Sequence, residues 1–172
     1  EESGKMQAEI ISNFYKKDPY RVDKNKDGKI QYVILEGDPE HQDALIRTEY
    51  CIKTMISEGI EVEKVGDDIA NWQSSQAYEK MTRWLDEYDN TIEAVFCNND
   101  AMALGAIKAL ENSNISADEM PVIVGADGIF DILPYIKNNI MLGTVFNNYK
   151  QQGKYIFDIA YELPTNGNVN AI

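Results

Sequence analysis

The chain is poor in several residue types, and each shortage removes a class of chemistry. Among 172 residues there are two cysteines, Cys51 and Cys97, both in apolar surroundings and without Cys-x-x-Cys spacing. That leaves no zinc ribbon and no thioredoxin-like redox pair, and both read as small core residues. The one histidine, His41, has no serine or cysteine evidently paired with it. With no Gly-x-Ser-x-Gly elbow and no glycine-rich phosphate loop, a hydrolase or phosphate-transfer enzyme loses its support. Positive charge is also scarce: 16 Lys and Arg stand against 29 Asp and Glu, a net charge of −13. Such a balance repels phosphate backbones and anionic lipid, which argues against nucleic acid as a partner and admits a multivalent cation. A plain solvated acidic surface is the alternative. No run reaches the roughly 18–20 apolar residues of a membrane span, and no basic-then-apolar signal segment opens the chain.

What remains is ordinary globular composition, 44% hydrophobic and 26% charged, at a length suited to one domain. A helix over Gly4–Tyr15, capped by Ser3, opens the chain so abruptly that it is expected to have been cut from a longer one. Five β-type runs follow, Ile30–Leu35, Ile60–Val65, Ile92–Cys97, Pro121–Ala126 and Met141–Phe146. Most lack strict alternation, which predicts strands buried on both faces. Helical patterns separate them at His41–Glu58, Ser74–Tyr88, Asp100–Asn112 and Phe130–Asn138, and a last one follows at Tyr149–Leu163. Apolar stripes run along Leu45, Thr48, Ile52, Met55 and Ile56, and along Met102, Ala106 and Leu110. Alternating strand and helix predicts an α/β fold: a doubly wound parallel sheet of about five strands, order 2-1-3-4-5, flanked by helices.

In such a sheet, ligands gather beyond the carboxyl ends of the strands. Five loops at those ends carry planar polar groups and one large aromatic: His41, Asp43 and Arg47; Trp72; Asn98, Asn99 and Asp100; Asp127; and Asn147. Each alone has a plainer reading. Asp43 and Arg47 could be a surface ion pair, His41 a helix-end residue, Trp72 core packing, and Asp127 and Asn147 turn or cap residues. Their convergence on one rim is what marks a site.

The segment Asp23-Lys24-Asn25-Lys26-Asp27-Gly28-Lys29-Ile30-Gln31 places oxygen side chains at positions one, three, five and nine, with glycine at six. This is the first part of an EF-hand calcium loop, in which position seven offers its carbonyl. Position twelve is Ile34 and a strand follows, so the loop is no EF-hand and needs a carboxylate from elsewhere. Glu93 is the best donor, because the third strand neighbours the first in the expected order. A turn without metal is the plain alternative. The ion would lie opposite the polar rim and serve structure only.

These segments, together with Asp38–Arg47, Asn98–Ala103 and Gly143–Asn147, resemble the glucose/galactose type of periplasmic sugar-binding proteins, in the same order along nearly the whole chain. The resemblance implies that Asp23, Asn25, Asp27, the carbonyl of Lys29, Gln31 and Glu93 hold a structural Ca²⁺. It implies that His41, Asp43, Arg47, Asn99, Asp127 and Asn147 hydrogen-bond a monosaccharide, glucose or galactose, while Trp72 stacks on its ring. Residues 1–147 would form the C-terminal lobe of a two-lobe protein, with half of the sugar site, and residues 148–172 a crossover helix that normally packs on a missing N-terminal lobe. The implied function is binding without turnover, outside the cytoplasm, as a periplasmic protein or cell-surface lipoprotein that delivers hexose to membrane transporter permease subunits and to a chemoreceptor. The alternative is the sugar-sensing core of a repressor or receptor. An uncovered last helix predicts self-association.

Overall fold

The structure is a computed structural model that describes residues 1–88, 91–116, 118–151 and 153–157. Five strands, β1 (Lys29–Glu36), β2 (Glu61–Ile69), β3 (Ala94–Cys97), β4 (Val122–Asp127) and β5 (Gly143–Phe146), form one sheet in the order β2-β1-β3-β4-β5. Every pairing is parallel. The helices are α1 (Glu2–Lys17), α2 (Gln42–Ser57), α3 (Ser74–Tyr88), α4 (Asp100–Glu111) and the short α5 (Leu133–Lys137). Order and layering are those read from the pattern.

The pleat of β1 sorts its side chains into two cores. Ile30, Tyr32 and Ile34 meet Ala94, Phe96, Val122 and Val124 under α1 and α2, where Ala8, Ile11, Cys51 and Met55 are buried. Val33 and Leu35 meet Val95, Cys97 and Ile123 under α3 and α4, whose Met81, Trp84, Met102, Ala106 and Leu110 fill the other layer. Both cysteines are free and buried, and burial raises the thiol pKa of each, that of Cys51 to about 12.

Four local expectations are corrected. β2 alternates between exposed and half-buried residues instead of being buried on both faces, because it is an edge strand with one neighbour. It also runs on to Ile69, past a register shift opposite Tyr32 and Val33. In α2 the buried residues are Ala44, Cys51 and Met55, while Leu45 and Ile56 point to solvent. The stripe that faces the sheet is therefore one residue out of phase with the expected one at its start. Ser3 does not cap α1, which begins before it. Its hydroxyl instead accepts a hydrogen bond from Arg47 Nε at 3.0 Å. Finally, β3 and β5 begin two residues later than expected, although the Glu93 N–H still donates to the Gln31 carbonyl at 2.8 Å. Of the last expected helix, residues 149–151 and 153–157 are helical, and the rest lies outside the described residues.

Candidate functional site

The carboxyl edge of the sheet is built in two layers. The deeper layer rests on Asn98 and Asp100, both buried. Asn98 Oδ1 accepts the Gly37 N–H at 3.1 Å, Asn98 Nδ2 donates to Thr48 Oγ1 at 3.1 Å, and its carbonyl takes a bond from the Arg47 guanidinium. The loops after β1 and β3 and the helix α2 are thereby tied together. Asp100 opens α4 and accepts the N–H groups of Gly128 and Ile129 at 2.7 and 3.0 Å, and the Thr144 hydroxyl at 2.6 Å. Burial raises its carboxyl pKa, which these bonds partly offset.

The expected site residues stand on that layer. Trp72 follows β2 through two successive left-handed residues, Asn71 and Trp72 (φ 49° and 64°), a conformation that costs non-glycine residues about 1–2 kcal/mol each. The indole lies directly against Gly37, where a Cβ would come within 2.1 Å of the ring. Only glycine leaves room there. The His41 ring meets Trp72 edge-on, with centroids 5.7 Å apart and planes at 82°. His41 is the residue before α2 and Asp43 lies in its first turn, with Nδ1 and Oδ2 4.0 Å apart and both side chains exposed. Arg47 turns to Ser3 and Asn98, so the plain ion pair with Asp43 is not the arrangement seen. Asn99 does cap α4, its Oδ1 accepting the Met102 N–H at 2.9 Å, while its Nδ2 reaches the Trp72 carbonyl at 3.4 Å.

Asp127 ends β4 with φ at 110°. Burial raises its carboxyl pKa, the Arg47 charge lowers it and the Asp100 charge adds to the rise. Asn147 is exposed beside it and donates its backbone N–H to the Asp127 carbonyl at 3.1 Å. Next to this pair Phe130, Leu133, Phe146 and Tyr149 line an open apolar pocket. Sequence reasoning named Asn98 and Asp100 together with the rim residues and did not separate them as a supporting layer beneath. A polar residue heading the apolar helix α4, as Asp100 does, was the available signal.

At the opposite edge the Asp23–Gln31 loop closes on itself. Asp23 accepts the N–H groups of Asp27 and Gly28 at 3.2 and 3.0 Å, and Asn25 Oδ1 accepts that of Asp27 at 2.8 Å. Asp27 accepts the N–H of Lys29 at 2.8 Å and the carboxamides of Gln31 and Asn25 at 2.8 and 3.2 Å. Lys29, whose carbonyl was expected to be a ligand, begins β1 here. Glu93, 1% exposed, reaches in from the neighbouring strand. It accepts the N–H of Lys24 at 2.6 Å, of Asn25 at 3.3 Å and of Gln31 at 3.1 Å. Burial raises its carboxyl pKa against those bonds. Among the described residues no group of three or more acidic, imidazole or thiol side chains is placed to hold a metal ion. The loop's donors are of mixed kind, three carboxylates with two carboxamides, all oxygen. Here the carboxamide nitrogens of Asn25 and Gln31 face Asp27, and a hard cation such as calcium would need their oxygens in that place instead.

The fold is shared with known proteins. The sequence profile of the periplasmic binding protein domain family matches residues 1–168. The D-galactose/methyl-galactoside binding periplasmic protein of Haemophilus influenzae is 37% identical over 163 residues, 94% of this chain and 48% of that protein. A xylitol-binding protein of Mycolicibacterium smegmatis is 33% identical over 121 residues, 70% of this chain and 34% of that one. The chain thus spans about half, or less, of the length of these curated relatives. Among solved structures, a solute-binding protein of Actinobacillus succinogenes with bound D-allose superposes with a TM-score of 0.74 at 26% identity, covering 93% of this chain and 52% of that one. The Caulobacter myo-inositol binding protein shares the fold with a TM-score of 0.82 at 21% identity, covering 97% and 54%.

Proposed function

We propose, from the premise that this chain belongs to the periplasmic binding protein domain family, that it is one lobe of a solute-binding protein that holds a hexose, glucose or galactose, and leaves it unchanged. The carrying observation is the rim: one indole, two carboxylates, a guanidinium, two carboxamides and an imidazole around the carboxyl ends of five strands, above a buried polar layer. A hexose offers hydroxyls that donate and accept, which suits carboxylates and carboxamides, and a C–H face that suits Trp72. Burial raises the Asp127 carboxyl pKa and the Arg47 charge opposes that rise, which favours the carboxylate as an acceptor. Relatives named for galactose, xylitol and D-apiose binding support a polyhydroxylated ligand. They also support delivery to a membrane transporter from outside the cytoplasm. At the other edge the reading includes a structural calcium ion held by the loop and Glu93.

A second lobe would cover the sugar's other face, so this chain alone is expected to bind hexose weakly. Titration with D-glucose and D-galactose, followed by the chemical shifts of Asn99, Asp127 and Asn147, tests the reading. Asp127→Ala should lose the response, since breaking a hydrogen-bonded charged contact costs about 2–5 kcal/mol, while a calcium-dependent rise in melting temperature persists. Unchanged hexose shifts in Asp127→Ala would refute the rim assignment.

A further inference from the structure

Among the described residues Asp100 is the one fully buried carboxylate at the rim, and it faces no solvent from which to touch a ligand. Its two oxygens are both engaged, one by Gly128 and Ile129, the other by Thr144. These partners enclose Asp127: two follow it in sequence, and Thr144 lies on β5, whose Phe146 pairs with Asp127. Asp127 and Gly128 both have positive φ, 110° and 71°. An aspartate adopts such a backbone only when its surroundings hold it there. The packing around Asp100 is equally tight, since a Cβ at Gly125 would stand 2.3 Å from Oδ1.

We infer that Asp100 is a positioning residue for the hexose site: by accepting three hydrogen bonds it fixes the left-handed turn at Asp127–Gly128 and so aims the Asp127 carboxylate across the rim. The inference rests on the hexose reading for its purpose and on the turn for its mechanism. The isosteric change Asp100→Asn preserves the bonding, because a carboxamide oxygen at this position can still accept the two N–H groups while the carboxamide nitrogen donates to the Thr144 hydroxyl. Alanine leaves all three donors unpaired.

The test compares Asp100→Ala, Asp100→Asn and Thr144→Val in this chain by amide exchange at Gly128 and Ile129, and by titration with D-glucose and D-galactose. Asp100→Ala should lose about tenfold in both protection and hexose affinity, a loss Asp100→Asn restores to within about threefold. Thr144→Val, which removes one bond and keeps the fold, should fall between them and decides the matter if the alanine variant does not fold. Unaltered protection at Gly128 and Ile129 in the alanine and valine variants overturns the inference, as does an asparagine variant no better than alanine. Absence of any hexose response in the unsubstituted chain defeats the hexose reading instead, and exchange then decides the role of Asp100 by itself.

Discussion

Glu93, just before β3, and Asp127, the last residue of β4, are both carboxylates whose pKa burial raises. Their surroundings differ in what they leave available. Glu93 is sealed beneath the Asp23–Gln31 loop and accepts three backbone N–H groups. Asp127 stays partly open, with Arg47 as its favourable charge and a polar layer behind it. About 25 Å of strand separates these edges, at 3.3 Å per residue over β1. On the proposed function the amino edge serves stability and the carboxyl edge recognition. Substitutions at the first should move the unfolding free energy, and those at the second should move binding.

The largest effect is expected at the amino edge. Glu93→Ala leaves three N–H groups without their acceptor and should destabilise the fold by about 3 kcal/mol. Calcium at a hundred times its dissociation constant should add about 2.7 kcal/mol to the unsubstituted chain, a gain that Glu93→Ala and chelators remove. Urea unfolding with and without calcium measures both. A variant within about 1 kcal/mol of the parent, with the same calcium response, would break the assignment of this edge.

Gly37→Ala probes the carboxyl edge and should have an intermediate effect. The added methyl meets the Trp72 ring at 2.1 Å, so either the indole or the Gly37 N–H bond to Asn98 must yield, at about 1–3 kcal/mol of stability. The indole should leave the His41 ring, changing the near-ultraviolet dichroism and weakening hexose binding together. Unaltered dichroism and affinity would show that Trp72 is not held in place from below.

The strand order and the pairing of Glu93 with the loop were legible because they follow from local periods and one topological rule: apolar runs at helix–strand spacing, and oxygens at positions one, three, five and nine. The rim residues were legible because each lies at or beyond the carboxyl end of a strand, Asp127 as the last residue of β4 and Asp43 and Arg47 within the helix that follows β1. The supporting layer was not, since the bonds from Asp100 to Gly128, Ile129 and Thr144 span 28 to 44 residues and exist only once β4 and β5 are laid side by side. The exposure of β2 escaped for a similar reason. Val62, Val65 and Ile69 look like core residues until the edge position shows how little covers them. Leu45 and Ile56 were misplaced because α2 has apolar residues on more than one side, and only packing against α1 and the sheet selects Ala44, Cys51 and Met55.

The smallest expected effect on stability sharpens the comparison most. The Asp43 side chain is 70% exposed, and its neighbour in reach is the imidazole of His41, 4.0 Å away and exposed as well. A contact of that length in water contributes under about 0.5 kcal/mol, because solvent screens it and both side chains keep their freedom. Its place in the first turn of α2 adds a favourable interaction with the helix N-terminus of similar size. Asp43→Ala should therefore shift the unfolding free energy by less than about 1 kcal/mol while weakening the hexose response of the rim. Thermal unfolding alongside a D-glucose titration separates the two readouts. A loss of several kcal/mol with the hexose response intact would turn Asp43 into a structural residue and remove the division of labour between the edges.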